Sequence, residues 1–397
     1  MDTYVIVGAG LTGAKAAETL RAEGFTGRVV LVGAEPDLPY ERPPLSKGYL
    51  LGRDDRASVF VHDEKWYTEQ DIEVVTGRRA TALDRAAHEV ELAGGERLGY
   101  TKLLLATGAS PRRLRVPGND LDGVHYLRRL GHADRLRDAL ATGGRVVVAG
   151  AGWIGLETAA AARAYGCEVT IVEPGPSPLH ATLGPELGGF FTGLHRRHGV
   201  DLRLGTGVTG FDGDETVSAV LTDAGEIPAD VVVVGIGARP ETQLAEDAGL
   251  AVDDGVRVDS ALRTEDPDIY VASAWHPGYD RPIRVEHWAA ATNGGPAAAR
   301  SMLGREVVYD ELPYFFSDQY DAGLEFTGWF PPGGYDRVVT RGGDEAFHAF
   351  WLAGGRVVAG LHVNQWDEGL DGVRELIRSG RTVDPAELAD PARPLLS

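Results

Sequence analysis

Two glycine-rich turns, each between an apolar strand and an alanine-containing helix, constrain the fold of this chain most strongly. The first turn follows the apolar run at residues 4–7. In such a unit the first glycine permits the tight turn, the second lets the backbone approach a pyrophosphate, and the third lets helix and strand pack closely. The helix N-terminus then faces the phosphate charge. The pattern predicts a dinucleotide site lined by Gly8, Gly10, Leu11, Thr12 and Gly13.

The second turn follows the valine-rich run at residues 145–149 and has the same form. Its predicted dinucleotide contacts are Gly150, Gly152, Trp153, Ile154 and Gly155. The next strand ends in Glu173, about 20 residues past the glycines, where an acid receives two ribose hydroxyls. No Arg or Lys follows Glu173 closely to hold a 2′-phosphate, so NADH is preferred over NADPH. The matching acid of the first unit is Glu35; the alternative is a solvated turn glutamate.

Two dinucleotides imply a hydride donor and a bound acceptor, for which flavin is the usual choice. Cys167 is the only cysteine of the 397 residues, so no Cys-x-x-Cys redox pair forms within the chain, and the expected compartment is the reducing cytoplasm. The net charge of −20 disfavours nucleic acid and anionic membranes as partners. No signal peptide, membrane-length apolar run or metal-ligand cluster is expected from the sequence.

Other segments belong with the two turns. Two prolines in the segment 39–47 predict an extended loop, from which Arg42 could meet a pyrophosphate and Lys47 an isoalloxazine ring. The alternative is a surface turn with exposed cations. A strand buried on both faces is predicted to leave each dinucleotide domain, and the two strands lead to Ala106, Thr107 and Gly108 and to Gly237. The run 88–92 and the residues after Gly95 indicate a small antiparallel insert.

Together these motifs resemble the FAD-dependent ferredoxin reductases that serve bacterial haem monooxygenases and aromatic-ring dioxygenases, which are relatives of glutathione reductase. The segments 284–288 and 314–320 are the most family-specific part of the resemblance. It implies an α/β fold with two Rossmann-like, glutathione-reductase-like domains and a C-terminal α+β interface domain. The FAD domain would be 1–109 and 230–309, the NAD domain 110–229, and the interface domain 310–397.

The resemblance also implies roles for single residues. Lys47 and Glu157 would be the catalytic pair beside the flavin, where a lysine stabilises the charge of the hydride acceptor. The alternative for Glu157 is an acid in the first turn of a helix. Glu286, His287 and Trp288 would contact FAD. NADH would reduce the flavin, and electrons would leave singly to a ferredoxin-type iron–sulfur protein serving an oxygenase. An NADH oxidase on the same fold is the second interpretation.

The chain departs from the family pattern after residues 269–272. The family has a Gly-Asp pair there, whose aspartate hydrogen-bonds the flavin ribityl chain, whereas here Ser273, Ala274 and Trp275 follow directly. About four residues are absent by comparison with the family pattern, and the gap is natural, engineered or an omission from the sequence. Loss of a charged partner would cost about 1.5–3 kcal/mol of FAD binding. A nucleotide-binding protein with weakened FAD binding is therefore a further alternative.

Overall fold

The computed structural model describes residues 1–272, 276–278 and 281–395, and it divides into two compact units. Unit 1 consists of Met1–Glu41, Arg56–Ser110 and Arg239–Pro313. Unit 2 consists of Arg42–Asp55, Pro111–Ala238 and Tyr314–Ser397. The finer division into an FAD domain, an NAD domain and an interface domain stays a prediction.

Unit 1 is built on a five-stranded parallel sheet. Its strands in spatial order are Ile269–Val271, Lys102–Leu105, Thr3–Val7, Arg28–Val32 and Ile72–Val75. Their apolar side chains are buried in the core of the unit, as strands covered on both faces require. Helix Leu11–Ala22 packs closely on helix Trp288–Met302, because a Cβ at Gly295 would overlap the carbonyl oxygen of Thr12.

Shorter elements complete unit 1. The antiparallel insert is confirmed as strands Ala80–Asp84, Glu89–Leu92 and Arg97–Gly99. The other strands are Val252–Asp253, Gly255–Val256, His276–Gly278 and Arg281–Ile283. The other helices are Glu64–Glu69, Gln243–Asp247 and the 3₁₀ helix Arg56–Val59. The short strands Ala109–Pro111 and Ala238–Pro240 lie where the chain passes from one unit to the other.

Unit 2 contains a second five-stranded parallel sheet. Its strands in spatial order are Asp201–Leu204, Glu168–Glu173, Arg145–Ala149, Val231–Val234 and Val124–His125. Its helices are Leu130–Ala141, Trp153–Ala164, His180–Leu183 and Pro185–Arg197. A three-stranded antiparallel sheet is formed by Val208–Gly213, Val217–Thr222 and Gly225–Pro228. Each parallel sheet thus contains one strand that leads directly into one of the two glycine-rich turns.

The C-terminal part of unit 2 is an antiparallel sheet with two helices. The strands in spatial order are Tyr314–Gln319, Ala322–Gly328, Arg356–Val363, Phe347–Ala353 and Arg337–Gly342. The helices are Asp371–Ser379 and Pro385–Ala389, and Val373 and Leu376 of the first pack into the core of the sheet. The predicted class, two parallel α/β layers with a C-terminal α+β part, is confirmed.

The prediction of an extended proline loop before Lys47 is wrong. Pro43–Ser46 forms a 3₁₀ helix with proline in its first turn. Proline is tolerated there because the first backbone N–H groups of a helix have no partner within the helix. No helix in the described part of the chain is long and apolar enough to cross a bilayer.

Candidate active site

The first glycine-rich turn joins strand Thr3–Val7 to helix Leu11–Ala22, and its glycines are required for different reasons. Gly8 has φ 126°, and a Cβ there would overlap the carbonyl oxygen of Ala106. A Cβ at Gly13 would overlap the carbonyl oxygen of Gly8. Gly10 has an ordinary φ of −98°, and a Cβ there would meet no atom of the described residues within 4 Å. Packing therefore explains two of these glycines and leaves open space beside Gly10.

The second turn repeats this geometry in unit 2. Gly150 has φ 102°, and its Cβ would lie 2.6 Å from the carbonyl oxygen of Gly235. A Cβ at Gly155 would overlap the carbonyl oxygen of Gly150. Gly152 has φ −80°, and its Cβ would make only an ordinary contact of 3.7 Å with the same Gly235 oxygen. The middle glycine is again the one that the protein itself does not require.

Both turns present uncapped helix N-termini. The N-cap residues Gly10 and Gly152 have no side chain, and within the described residues no side-chain hydrogen bond caps either helix. The first backbone N–H groups of each helix are therefore available to another acceptor, and the helix dipole favours an anion there. Leu11 is buried and Thr12 is half-buried behind the first of these N-termini. Open space beside the middle glycine together with free N–H donors fits the pyrophosphate of a dinucleotide.

The two predicted ribose acids have different partners. Glu173 Oε2 accepts a hydrogen bond of 2.8 Å from the Ala151 N–H, and Oε1 accepts one of 2.7 Å from the Gly175 N–H. A carboxylate has about four acceptor sites, so these two bonds fix Glu173 at the turn and leave capacity for hydroxyl donors. Glu35 Oε2 accepts a hydrogen bond of 2.5 Å from the Tyr40 hydroxyl. Glu35 is thus contacted by the side chain of Tyr40, five residues further along the chain.

The strand ends next to the turns are fixed by backbone bonds. The Ala106 N–H donates to the Val7 carbonyl at 2.8 Å, which places Ala106 directly beside the first turn. The Thr107 hydroxyl donates to the Glu241 carbonyl at 2.7 Å. Gly108 and Gly237 both have positive φ, 69° and 101°. These predicted cofactor residues are part of the backbone framework around the turns, and their contact with a cofactor stays a prediction.

Lys47 and Glu157 lie together in unit 2. The Lys47 Nζ is 2.8 Å from Glu157 Oε1, and the side chains are only 15% and 3% exposed. The Ser46 hydroxyl donates to Glu157 Oε2 at 2.5 Å, and the Ser317 hydroxyl donates to Oε1 at 2.6 Å. Lys47 also lies over the ring of Phe316, 5.3 Å from its centroid. The structure therefore brings together the two residues that the family resemblance implies as a pair, within a buried polar cluster.

Arg42 opens the segment that carries Lys47. Its Nη1 donates to the Arg128 carbonyl at 2.5 Å. Two tyrosine hydroxyls also hold this segment: that of Tyr49 donates to Asp134 Oδ1 at 2.5 Å, and that of Tyr165 donates to the Leu50 carbonyl at 2.9 Å. These contacts lie within unit 2, so Lys47 is positioned by the unit that contains the second turn.

The predicted flavin contacts at the start of helix Trp288–Met302 belong to unit 1. Glu286 Oε1 accepts a hydrogen bond of 2.8 Å from Arg284 Nη1. His287 is the helix N-cap, and burial lowers its pKa to about 4, so the ring is neutral at pH 7. The Trp288 Nε1 donates to Glu41 Oε2 at 3.3 Å. The three residues are held in place by the protein, and their contact with FAD stays a prediction.

The two apolar side chains of the second turn face different surroundings. The Trp153 ring packs edge-on against Phe191 and Phe315, at centroid distances of 5.8 and 4.6 Å. Ile154 is 40% exposed, one of few large apolar residues with that exposure in the described part of the chain. Trp153 thus packs against other aromatic rings of unit 2, whereas Ile154 presents apolar surface at the second turn.

Sequence reasoning missed the hydroxyls that surround Glu157. Ser46 precedes Lys47 directly and Ser317 lies in a segment recognised as family-specific, so both were within reach of a motif search. Their convergence on one carboxylate is a long-range contact that no local pattern encodes.

The predicted deletion after Ala272 falls at Ser273, Ala274 and Trp275, which lie outside the described residues. In the described ranges, no group of three or more His, Cys, Asp or Glu side chains is placed to hold a metal ion.

Comparison with known proteins finds relatives that match nearly the whole length of this chain. A family model described as pyridine nucleotide-disulphide oxidoreductase matches residues 2–295, and one described as reductase C-terminal matches residues 314–397. The ferredoxin–NAD(+) reductase component of the anthranilate 1,2-dioxygenase system of Burkholderia cepacia is 41% identical, over 98% of this chain and 97% of that protein. Putidaredoxin reductase of Pseudomonas putida is 37% identical over 99% of this chain and 96% of its own length.

A solved structure extends the likeness to three dimensions. A chain of the covalent putidaredoxin reductase–putidaredoxin complex matches with a TM-score of 0.95 and 38% identity, over 99% of this chain and 97% of that one. The resemblance inferred from the two turns and the later motifs is confirmed. This chain belongs to the pyridine nucleotide-disulphide oxidoreductase family, and its relatives over nearly their full length include ferredoxin–NAD(+) reductase components of dioxygenase systems.

Proposed function

We infer that this chain is an NADH-dependent flavoprotein reductase that passes electrons from NADH through FAD to a ferredoxin-type iron–sulfur protein serving an oxygenase. The observation that carries the inference is the presence of two open glycine turns, one in each compact unit, where only a ligand explains the middle glycine. Two dinucleotides in one chain supply a hydride donor and an acceptor. With one cysteine, a dithiol relay within the chain is impossible. The electron acceptor is inferred from the relatives, which are ferredoxin–NAD(+) reductases.

The two turns bind different dinucleotides in this proposal. Bound FAD supplies the chemistry that accepts two electrons from NADH and releases them singly. The FAD contacts are Gly8, Gly10, Leu11, Thr12, Gly13, Glu35, Arg42, Lys47, Ala106, Thr107, Gly108, Gly237, Glu286, His287 and Trp288. The NADH contacts are Gly150, Gly152, Trp153, Ile154, Gly155 and Glu173. Because the carboxylate of Glu173 would repel a 2′-phosphate and accept ribose hydroxyls, the preferred donor is NADH rather than NADPH.

Lys47 and Glu157 are the residues that we assign to the chemistry. The ammonium of Lys47 stabilises negative charge that develops on the hydride acceptor. Glu157 holds that ammonium by an ion pair of 2.8 Å in a buried setting, where a fixed charge acts more strongly than in water. The role beside the flavin rests on the family resemblance, and the pair geometry of unit 2 supports it.

The domain boundaries and the location belong to the same proposal. We keep 1–109 and 230–309 as the FAD domain, 110–229 as the NAD domain and 310–397 as the interface domain. A cytoplasmic location is supported by the single cysteine, since proteins of oxidising compartments commonly carry disulfides.

A spectrum and a rapid-mixing experiment test the function. The purified protein, supplied with FAD, is expected to show flavin absorption bands that bleach when NADH is added without oxygen. An oxidised ferredoxin of an aromatic dioxygenase should then restore the bands much faster than dioxygen does. A colourless protein that resists reconstitution with FAD would contradict the proposal, and dioxygen as the faster acceptor would point to an NADH oxidase.

Two lysine variants separate the proposed active-site role from a general loss of charge. Lys47→Gln is expected to slow bleaching by NADH by roughly 10²-fold, the usual size of one electrostatic contribution to a transition state. Lys65→Gln removes a lysine that is 79% exposed and paired with Glu69 four residues away, so the bleaching rate should not change. Equal rates in the two variants would remove Lys47 from the reaction.

A further inference from the structure

The buried carboxylate of Glu157 receives three donors from two segments of unit 2, the neighbours Ser46 and Lys47 and the distant Ser317. Lys47 and the Ser317 hydroxyl contact Oε1, and the Ser46 hydroxyl contacts Oε2. Glu157 is 3% exposed, and an ionised carboxylate in such a place must be both paired and hydrogen-bonded. The ion pair supplies the charge, and the two hydroxyls fix the direction in which the carboxylate presents it.

The Ser317 hydroxyl is itself the end of a longer chain of buried groups. Gln319 Nε2 lies 3.2 Å from Ser317 Oγ, and Gln319 Oε1 lies 3.0 Å from His195 Nε2. The other nitrogen of that ring, Nδ1, lies 3.2 Å from the Tyr320 hydroxyl. Ser317, Gln319 and His195 are at most 1% exposed. Water therefore has little access to this chain of groups.

The protons that these groups carry allow only one donor-to-acceptor direction for their hydrogen bonds. A carboxylate cannot donate, so the single proton of Ser317 points to Glu157, and Ser317 must accept from the Gln319 amide. The Gln319 carbonyl oxygen can then only accept, which makes His195 Nε2 the protonated nitrogen of the ring. His195 Nδ1 is left with a lone pair and accepts from Tyr320. Burial lowers the pKa of His195 to about 4 and raises the pKa of Tyr320, so the ring is neutral and the phenol keeps its proton at pH 7.

We propose that Tyr320, His195, Gln319 and Ser317 form a one-way series of donors that positions Glu157 and, through it, Lys47. Every hydrogen bond in the series points its positive end toward the carboxylate, and aligned bonds of this kind strengthen one another. The series is a positioning device and not a proton path, since an amide side chain such as Gln319 does not release one proton and take up another without changing its bonding. The effect on catalysis rests on the proposed function.

A matched pair of hydroxyl deletions tests the positioning role. Ser317→Ala removes the last donor of the series. Thr327→Val removes another hydroxyl of the same sheet that is 0% exposed like that of Ser317, but the Thr327 hydroxyl has no partner among the described residues. Flavin reduction by NADH is expected to slow about tenfold in Ser317→Ala, the usual cost of one hydrogen bond to a charge, and to stay unchanged in Thr327→Val. The flavin midpoint potential should fall by about 30 mV per tenfold change in the two-electron equilibrium.

A double variant shows whether Ser317 acts through the ion pair. If it does, Ser317→Ala introduced into Lys47→Gln has no further effect on the reduction rate or on the midpoint potential, because the two changes remove one linked function. A purely structural role would lower both quantities again in the double variant. An unaltered Ser317→Ala single variant, or a full additional loss in the double variant, overturns the proposal.

The protonation of His195 provides a readout that needs no turnover. Nitrogen-15 NMR of histidine-labelled protein, assigned with a His195→Gln variant, should show a neutral ring with the proton on Nε2 at pH 7. A proton on Nδ1, or a charged ring, overturns the donor direction. Should Ser317→Ala fail to fold, Ser46→Ala removes the other hydroxyl donor of Glu157 and is expected to slow reduction similarly. Wild-type protein that binds no FAD, or is not bleached by NADH, refutes the proposed function instead, and the NMR result still decides the donor series.

Discussion

Replacement of Gly152 by alanine probes whether the middle glycine of the second turn exists for a ligand. Gly152 has φ −80°, which alanine adopts freely, and the new Cβ would have only one ordinary contact, 3.7 Å from the Gly235 oxygen. Alanine is a poorer N-cap than glycine by roughly 0.5–1 kcal/mol, whereas removing glycine from the unfolded chain contributes roughly 0.4–1 kcal/mol in the opposite direction. The free energy of unfolding should therefore change by about zero.

Ligand binding should respond quite differently at Gly152. The new methyl group would occupy the space that a pyrophosphate needs, and overpacking of a close contact costs roughly 1–3 kcal/mol. The dissociation constant for NADH is thus expected to rise about 10- to 100-fold. Gly155→Ala is the matched control, because its Cβ would lie well inside the 3.0 Å from backbone oxygen that real Cβ atoms essentially never approach. That variant gains about 1 kcal/mol of helix propensity and loses about 3 kcal/mol to overlap, so its fold is destabilised by about 2 kcal/mol.

Two measurements on each variant decide between these outcomes. Denaturant unfolding of the protein without NADH gives the stability change, and titration with NADH under anaerobic conditions gives the affinity. The expected pattern is a stable Gly152→Ala protein that binds NADH weakly and a destabilised Gly155→Ala protein. Unchanged NADH affinity in Gly152→Ala would refute the reasoning that only a ligand explains the middle glycine.

Three further predictions follow from the partners of single residues. Burial lowers the pKa of His195 to about 4, whereas an unfolded histidine has a pKa of about 6.5, so the unfolded state binds more protons between these two pH values. The free energy of unfolding should therefore fall by about 3 kcal/mol as the pH drops through this range. His195→Gln should make the free energy of unfolding, measured in urea at a series of pH values, less dependent on pH. Lys47→Gln leaves Glu157 buried without its cation and should lower the free energy of unfolding by about 3 kcal/mol in the same assay. Adding Glu157→Gln to Lys47→Gln should restore most of this loss, because the double variant has no unpaired buried charge. Glu173→Gln should lower the preference for NADH over NADPH about tenfold in kcat/KM, and an unchanged ratio would exclude Glu173 from ribose recognition.

The sequence was sufficient to predict the two turns because the physics of a glycine turn is local. Gly8 and Gly150 have backbone angles that side chains disfavour, and Gly13 and Gly155 lie under backbone oxygens of their own turn. These backbone angles and the oxygens above Gly13 and Gly155 involve only residues within a few positions of one another, although Gly8 and Gly150 also approach the distant carbonyl oxygens of Ala106 and Gly235. A local pattern can therefore report these local requirements, and the parallel sheets follow from the strand–turn–helix order. The family resemblance added the pairing of Lys47 with Glu157, which spacing alone does not predict.

The surroundings of that pair were not predictable, because they depend on contacts between distant segments. Ser46 and Ser317 reach Glu157 across 111 and 160 positions of the chain, and Gln319 meets His195 across 124. A lone histidine in an amphipathic helix gives no sign that its ring continues a series of donors. The 3₁₀ helix Pro43–Ser46 was missed for a different reason, since proline disfavours helix interiors but is tolerated in the first turn.

The position of Lys47 within the compact units bears on how the reaction is organised. Its segment, Arg42–Asp55, is grouped by contacts with the second turn and with the C-terminal sheet, although it follows the first turn in sequence. The Tyr49 hydroxyl ties the segment to Asp134 of helix Leu130–Ala141, and the hydroxyl of Tyr165, the C-cap of the helix that carries Glu157, ties it at Leu50. The lysine is thus fixed in the same body as the proposed NADH turn. The ammonium of Lys47, the carboxylate of Glu157 and the donor series from Tyr320 to Ser317 all lie within unit 2, so the contacts that fix the geometry of the pair are contacts inside one compact unit.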